Sequence, residues 1–162
     1  MSGFVHLHTH SEYSLLDGAA RVPKLVERAV SLEMPALALT DHGYMYGAID
    51  FYRTATDAGI KPILGCEVYF VPERQLTGGK IPFYHLLLLA KNDTGYRNLM
   101  ALVSDAAVNG YYYKPQVDLA SLERHAEGLI GTSACMSGIL SKSIEMGAPE
   151  EARRWAETYA RV

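Results

Sequence analysis

Three histidines alternate with other residues near the start of the chain, in the segment Phe4-Val5-His6-Leu7-His8-Thr9-His10. The segment is predicted to be a buried β-strand, in which side chains two residues apart share one face about 6.5–7 Å apart. Polar groups buried without partners are unfavourable, and a metal ion can satisfy several imidazoles together. The spacing of His6, His8 and His10 therefore predicts a metal site.

Other nitrogen, oxygen and sulfur donors accompany the remaining predicted strands. Besides the segment 4–10, apolar runs predict strands at about 36–40, 62–71, 84–90 and 128–133. Each run carries at least one donor inside it, at its start or just after its end. These donors, together with the one in the loop after the first segment, are Asp17, Asp41, His42, Glu67, His85 and Cys135.

Helical patterns alternate with the strands. The predicted helices cover about 22–34, 47–58, 94–108, 118–126, 137–146 and the residues from Pro149 onward. Repeated β-α units predict a parallel sheet with helices outside it, and functional groups gather at the carboxyl ends of such strands. The stretch 73–82 is expected to form a flexible hairpin or lid. Because the sequence stops inside a helical pattern, we expect these residues to be part of a larger domain.

Length and composition bound the class of protein. A chain of 162 residues suits one domain, and 15 basic against 18 acidic residues give no charge pattern for wrapping duplex DNA. Two cysteines fit a reducing compartment. There is no secretory signal and no apolar run long enough to span a membrane. We therefore expect a soluble, cytoplasmic protein without a membrane partner.

Some of these residues allow a second interpretation. Glu67 lies in an apolar strand with no basic residue alternating with it, which favours metal ligation. His42 is a candidate ligand, with Asp41 as its orienting partner or as a turn residue. By pattern alone His85 also fits a core histidine, because it opens its leucine run. Cys135 fits either a soft ligand or a buried thiol.

An aromatic segment, Tyr111-Tyr112-Tyr113-Lys114, precedes Pro115. It is expected to be a loop. Its rings and its cation fit stacking on nucleobases or holding a phosphate, but loop packing is the favoured interpretation.

The sequence resembles the polymerase-and-histidinol-phosphatase (PHP) domain. More narrowly, it is similar to the branch of this family at the N-terminus of bacterial DNA polymerase III alpha subunits. The matching segments run in order along nearly the whole chain. They are Phe4–Ser11, Tyr13–Gly18, Ala38–Gly43, Tyr46–Tyr52, Lys61–Glu67, His85–Ala90, Thr94–Leu99 and Tyr112–Pro115.

The resemblance implies an α/β fold, a distorted seven-stranded β/α barrel that is incomplete here. Residues 1–162 would form a single domain with about five of the strands. Two or three divalent ions are implied at the strand ends, with zinc favoured and manganese or iron as alternatives. The implied ligands are His8, His10, Asp17, His42, Glu67, His85 and Cys135, and His6 and Asp41 would support them. The family's last two ligands have no counterpart, since no Asp follows Asp118 and no His follows His125.

The resemblance also implies a function. The chain would be the N-terminal part of a replicative, DNA-directed DNA polymerase, with the rest of that polymerase, replisome subunits and DNA as partners. The domain itself would be a metal-dependent phosphoesterase, acting as a 3′–5′ exonuclease on primer ends in the intact parent. Catalysis would use a metal-bound water, and no side-chain nucleophile is assigned. Two alternatives stay open, a metal-stabilised non-catalytic scaffold for the polymerase core and a free-standing PHP phosphatase.

Overall fold

The computed structural model describes residues 3–79 and 81–162. Met1, Ser2 and Lys80, which belongs to the predicted 73–82 stretch, lie outside the described residues. Within the described part, the chain forms six α-helices and six β-strands. In chain order they are α1 (Val22–Ser31), β1 (Ala36–Leu39), α2 (Ala48–Asp57), β2 (Lys61–Val71), β3 (Tyr84–Ala90), α3 (Asp93–Asn109), β4 (Tyr111–Tyr112), β5 (Lys114–Asp118), α4 (Leu119–His125), β6 (Leu129–Thr132), α5 (Ile139–Glu145) and α6 (Pro149–Arg161).

All six predicted helices are confirmed close to their expected bounds, and local signals explain several of their starts. A proline occupies the first turn of α1 and of α6, where its missing N–H is tolerated. The side chain of Asn92 accepts a hydrogen bond from the Gly95 N–H and caps α3. Asp118 and Ser121 form a reciprocal capping box on α4. None of these helices, within the described residues, is long and apolar enough to cross a membrane.

The sheet is built around β2. On one edge its first residues pair in parallel with β1, and its last residues pair in parallel with β5. On the other edge β2 pairs antiparallel with β3, which pairs antiparallel with β6. The expected α/β class with an unclosed sheet is confirmed, but the expected parallel arrangement is wrong for β3, the one strand of this set that runs against β2, whereas β6 runs in the same direction as β2. No helix separates β2 from β3, so the chain turns back as a hairpin and the strands run in opposite directions.

The segment 4–10 lies along β1 but is not a regular strand, so the prediction of a buried strand is wrong in its hydrogen bonding. It is also wrong in its burial, because Phe4 is 57% and Leu7 is 44% exposed. The Ala38 N–H donates to the His6 carbonyl at 3.0 Å, and the Thr40 N–H donates to the Thr9 carbonyl at 2.9 Å. The Thr9 N–H, however, donates to the side-chain Oγ1 of Thr40 at 2.9 Å. Because a side chain replaces a backbone partner, the ladder is interrupted although the segment stays beside the sheet.

The segment 111–114 is not the aromatic loop that we expected. Tyr111 and Tyr112 form β4, which pairs antiparallel with β5 through Pro115 and Lys114. Tyr113 makes the tight turn between the two strands with a φ of 59°. Strands this short, interrupted by lysine and proline, carry no apolar run by which the sequence could reveal them.

Two hydrophobic clusters hold the helices on the sheet. In the larger one, Phe70 of β2 and Val117 of β5 pack with Leu99 of α3. In the smaller one, Val22 of α1 and Phe51 of α2 pack near β1. These five side chains are completely buried. Burying each such side chain stabilises a fold by about 1.5–3 kcal/mol, so the strand ends that carry polar residues rest on a rigid base.

Asp41, which is 3% exposed, holds the loop after segment 4–10 at the end of β1. Its Oδ1 accepts hydrogen bonds from the Ser11 N–H and the Ser14 hydroxyl, both at 2.7 Å. Its Oδ2 accepts from the Ser11 hydroxyl at 2.8 Å. A Cβ added to Gly18 would lie 1.8 Å from the Ser11 carbonyl oxygen, so only glycine lets this loop close.

Arg74 fastens the connection between β2 and β3. Its guanidinium donates to Asp105 Oδ2 of α3 at 2.6 Å and to the Gln116 carbonyl at 3.1 Å. The side-chain amide of Gln116 in turn exchanges two hydrogen bonds with the backbone of Gln75. Hydrogen bonds from Asn109 and from Arg74 lower the pKa of Asp105 below its usual value.

We predict that Asp41→Ala lowers the free energy of unfolding by about 2–4 kcal/mol, because it leaves three buried donors of Ser11 and Ser14 unpaired. Chemical denaturation measures the change. Asp57→Ala, at an exposed position, is the matched control and should stay within about 0.5 kcal/mol of the unmodified chain. Equal stability of the Asp41→Ala variant and the unmodified chain would contradict the role assigned to this carboxylate.

A second prediction follows from the lowered pKa of Asp105. Such a carboxylate stabilises the folded state above its unfolded pKa of about 3.9, and the contribution is lost as the pH falls through the lower folded value. Asp105→Asn should therefore lower the Tm at pH 6, and the difference from the unmodified chain should shrink toward pH 3 and below. Thermal melts across this range measure it, and a pH-independent difference would contradict it.

Candidate metal centre

Four imidazoles lie close to one buried carboxylate, that of Glu67 in the middle of β2. The Glu67 side chain is 1% exposed. His8 Nε2 lies 3.2 Å from Oε1, and His10 Nε2 lies 3.2 Å from Oε2. The Nδ1 atoms of His42 and His85 each lie 3.0 Å from a Glu67 oxygen. The alternation predicts that His6, His8 and His10 share a side, and these distances confirm it for His8 and His10 only.

Backbone hydrogen bonds fix His42 next to Glu67. The Glu67 N–H donates to the Asp41 carbonyl at 3.1 Å, and the Gly43 N–H donates to the Glu67 carbonyl at 2.9 Å. Gly43 has a φ of +69°, and a Cβ there would approach Tyr69 Cε2 to 2.8 Å. Glycine is therefore required for the chain to leave β1 in the direction that places His42 over the sheet.

His85 reaches Glu67 because β2 and β3 are antiparallel. Leu87 lies directly opposite Glu67, and His85 lies opposite Tyr69. Residues two apart share a face of a strand, so His85 is a diagonal neighbour of Glu67. The start of β3 thus joins a site that the N-terminal segment, the end of β1 and the middle of β2 also form.

The imidazoles also contact one another and one further carboxylate. The rings of His10 and His42 stack with centroids 4.2 Å apart and an interplanar angle of 13°. The rings of His42 and His85 meet at 5.1 Å. Asp17 Oδ2 lies 2.9 Å from His42 Nε2, so both ring nitrogens of His42 face carboxylates.

Cys135 lies at the rim of this group. Its Sγ is 3.6 Å from His85 Nδ1 and 3.7 Å from Glu67 Oε1. The Ser137 N–H donates to the sulfur at 3.4 Å. The residue is exposed, so the alternative interpretation as an ordinary buried thiol is wrong. Ala134, just before it, adopts a φ of 57°, a strained value for alanine of the kind that accumulates at functional sites.

The two residues predicted to support the ligands behave differently. Asp41 does not contact the His42 ring but acts through Ser14, whose hydroxyl donates to Asp41 and accepts from the His42 N–H at 3.2 Å. His6 is exposed and lies apart from the group. Its ring meets the Phe4 ring edge to face, with the two ring centroids 4.8 Å apart. The seven predicted ligands therefore lie together, whereas His6 does not join them.

The carboxylate and the imidazoles of the group shift each other's pKa values. Burial raises the pKa of Glu67, but contacts with His10, His42 and His85 outweigh it and hold that pKa well below its usual range. Contact with Glu67 and then with Asp17 raises the pKa of His42 above its usual value, although burial acts in the opposite direction. The site thus keeps an ionised carboxylate in the middle of a ring of imidazoles.

Some buried nitrogen and oxygen atoms of the group make no hydrogen bond and are available to bind a metal ion. Among the described residues, His8 Nε2, His10 Nδ1, His42 Nδ1 and Glu67 Oε2 are buried and lack a hydrogen bond of acceptable geometry. Such atoms are rare in folded proteins and need an explanation.

The same residues fall into two sets whose candidate ligand atoms lie within 4.8 Å of one another. One set is His8, His10 and Glu67, and the other is His42, Glu67 and His85. Imidazole nitrogens and carboxylate oxygens are donors that divalent transition metals accept. The residues therefore form a possible metal-binding group.

A cleft of about 480 Å³ opens onto this group. The residues that line it combine three of the predicted ligands with aromatic side chains, two leucines, one serine and one lysine. They are Tyr13, Ser14, Leu15, Leu16, Asp17, His42, Tyr44, Tyr46, Tyr69, Phe83, His85 and Lys114. Sequence reasoning missed the tyrosines, because a tyrosine in a strand or turn ordinarily packs there and carries no signal of a site.

Comparisons with known proteins identify the family of the chain. The family model described as the PHP domain matches residues 6–162. The DNA polymerase III subunit alpha of Treponema pallidum is 51% identical over 160 residues, which cover 96% of this chain and 14% of that protein. The corresponding subunit of Borreliella burgdorferi is 47% identical over 157 residues, which cover 94% of this chain and 14% of that protein.

The chain thus spans about one seventh of the length of these relatives. A solved structure of an amidohydrolase from Chromobacterium violaceum has a TM-score of 0.44 and 25% identity, covering 63% of this chain and 32% of its own. The expected similarity to polymerase III alpha subunits is confirmed. Since the family match covers nearly every residue and includes the whole histidine and Glu67 group, the chain belongs to the PHP domain family.

Proposed function

We propose that this domain is a metal-dependent phosphoesterase that removes nucleotides from DNA 3′ ends in an intact parent polymerase. The observation that carries the proposal is the convergence of four imidazoles on the buried Glu67, with nitrogen and oxygen atoms left without hydrogen bonds. The nearby cleft gives a substrate access to this group.

The ligand assignment follows the two sets of donor atoms. His8 and His10 with Glu67 would hold one ion, and His42 and His85 with Glu67 would hold another. Asp17 and Cys135 lie at the edges of the group and complete the seven proposed ligands. Mixed nitrogen, oxygen and sulfur donors favour zinc, with manganese and iron as alternatives, and leave room for two or three ions.

The residues of the chain would hold the metal ions in position, and no side chain would act as the nucleophile. Bound divalent ions would supply Lewis acidity toward phosphate oxygens and would lower the pKa of water to about 7. Glu67 belongs to both donor sets, so it would contribute a ligand to each of the two ions. The Asp41–Ser14 contact and the backbone bonds around His42 hold the donors in place before any substrate arrives, which keeps reorganisation small.

The similarity to polymerase III alpha subunits supports the choice of DNA as substrate, and DNA replication in the cytoplasm as the setting. The rest of the polymerase chain and the replisome subunits are the proposed partners.

A metal-stabilised scaffold is the second candidate. The observation that favours it is that the Glu67 group joins the N-terminal segment, the end of β1, β2 and the start of β3. An ion bound to these four parts of the chain would stabilise the fold whether or not it takes part in a reaction. The similarity to alpha subunits disfavours a free-standing phosphatase.

We predict that Glu67→Gln lowers the affinity for Zn²⁺ by at least about 100-fold, because it removes the charged ligand common to both donor sets. Calorimetric titration of the metal-free chain measures the affinity, and circular dichroism verifies that the variant is folded. Glu123→Gln, at an exposed position of α4, is the matched control and should bind as the unmodified chain does. Unchanged affinity in the Glu67→Gln variant would contradict the ligand assignment.

We also predict loss of 3′ nucleotides from a 3′-mismatched primer in the presence of Zn²⁺ or Mn²⁺. The assay compares this chain with the longest natural polypeptide that contains its sequence, because the scaffold candidate predicts cleavage by neither. His8→Ala should abolish cleavage, since it removes a proposed ligand. His6→Ala is the matched control and should cleave normally, because His6 lies apart from the group. Cleavage retained by the His8→Ala variant, or absent from both unmodified proteins, would count against the proposed reaction.

A further inference from the structure

We propose that the cleft beside the metal-binding group selects phosphoesters that carry an aromatic ring, with Lys114 binding the phosphate and Tyr46 stacking on the ring. The inference rests on the proposed phosphoesterase function and adds to it the residues that decide specificity. The two residues belong to different parts of the chain, the start of β5 and the loop before α2.

The cleft has the size and position that a substrate pocket requires. Its volume of about 480 Å³ lies within the usual range for small-molecule sites. Its lining includes Asp17, His42 and His85, so a molecule bound there would contact the proposed ligands directly. A phosphoester held in the cleft therefore has its phosphorus next to the group that would act on it.

Lys114 places a positive charge in this cleft without a neutralising partner. Its Nζ lies 3.4 Å from the Tyr69 hydroxyl and 4.8 Å above the centre of the Tyr69 ring. Among the described residues, no carboxylate pairs with Lys114, and no other lysine or arginine lines the cleft. The Tyr69 ring lies parallel to the His42 ring at 6.1 Å, so the cation is held close to a proposed ligand. A phosphate is the ligand that this arrangement suits.

The tyrosines give the cleft an aromatic wall. The rings of Tyr44 and Tyr46 stack with centroids 4.8 Å apart and an interplanar angle of 12°. Tyr46 is 68% exposed, so the stacked pair presents an open aromatic face. Leu15 and Leu16, 89% and 91% exposed, add apolar surface to the same lining. An exposed aromatic face stacks on any nucleobase, whereas an aliphatic phosphoester has nothing to place against it.

The test measures binding rather than turnover. The chain, loaded with Mn²⁺, is titrated calorimetrically with thymidine 5′-monophosphate, glycerol 3-phosphate and thymidine. We expect thymidine 5′-monophosphate to bind about tenfold or more tightly than glycerol 3-phosphate, which is the stacking contribution of one base. Tyr46→Ala should remove this preference and leave the affinity for glycerol 3-phosphate unchanged.

Lys114→Gln should weaken both phosphates about tenfold and leave thymidine unaffected, whereas Lys114→Arg should retain the phosphate affinity. Tyr52→Ala and Lys61→Gln are the matched controls, because both residues line a different cleft. Tyr46→Leu serves as a second variant that keeps apolar bulk without an aromatic ring. Circular dichroism verifies that each variant is folded.

Equal affinities for the two phosphates, no binding of either, or a preference that survives Tyr46→Ala would each overturn the inference. Release of nucleotides from a 3′-mismatched primer, measured on the same samples, separates the inference from the proposed function. A preference in binding with no release of nucleotides would support the inference and count against the function. Release of nucleotides with no preference in binding would support the function and overturn the inference.

Discussion

The charge of Glu67 sets the arrangement of the rest of the molecule. A carboxylate that is 1% exposed in the middle of a strand is very unfavourable unless charges or metal ions compensate it. The protein compensates it with imidazoles from the N-terminal segment, the end of β1 and the start of β3. The need to bring these three parts of the chain to one carboxylate explains why a short, open sheet carries such closely fitted loops.

That compensation depends on supports that have no chemistry of their own. Asp41 holds the loop after His10 through Ser11 and Ser14, and Gly43 lets the chain turn so that His42 faces the sheet. Where imidazoles and a carboxylate are already close, a divalent ion can replace the weak contacts between them with stronger bonds, at the expense of little rearrangement. The same preorganisation serves a catalytic site and a structural one, so only measured turnover separates them.

The sequence predicts the parts of this site that depend on local rules. Residues two apart in an extended chain share a side, which predicts the placement of His8 and His10 together. The cost of burying an unpaired charge predicts that Glu67, which lies among apolar residues, has partners. The pattern allows two interpretations of His85, because its role depends on the direction of β3, and the expected parallel sheet has that strand running the wrong way. The irregular path of the N-terminal segment depends on the Thr40 hydroxyl, and the aromatic cleft depends on tyrosines brought together by the tertiary fold. Local patterns contain neither.

X-ray absorption spectroscopy of the zinc-loaded chain tests the central claim most directly, because it reports the atoms bound to the ion. The account predicts nitrogen and oxygen neighbours at about 2.0–2.2 Å, with the scattering pattern of several imidazoles, and a sulfur neighbour from Cys135 at about 2.3 Å. It also predicts that this pattern is lost in the Glu67→Gln variant. A spectrum of oxygen neighbours alone, without imidazole scattering, would contradict the account.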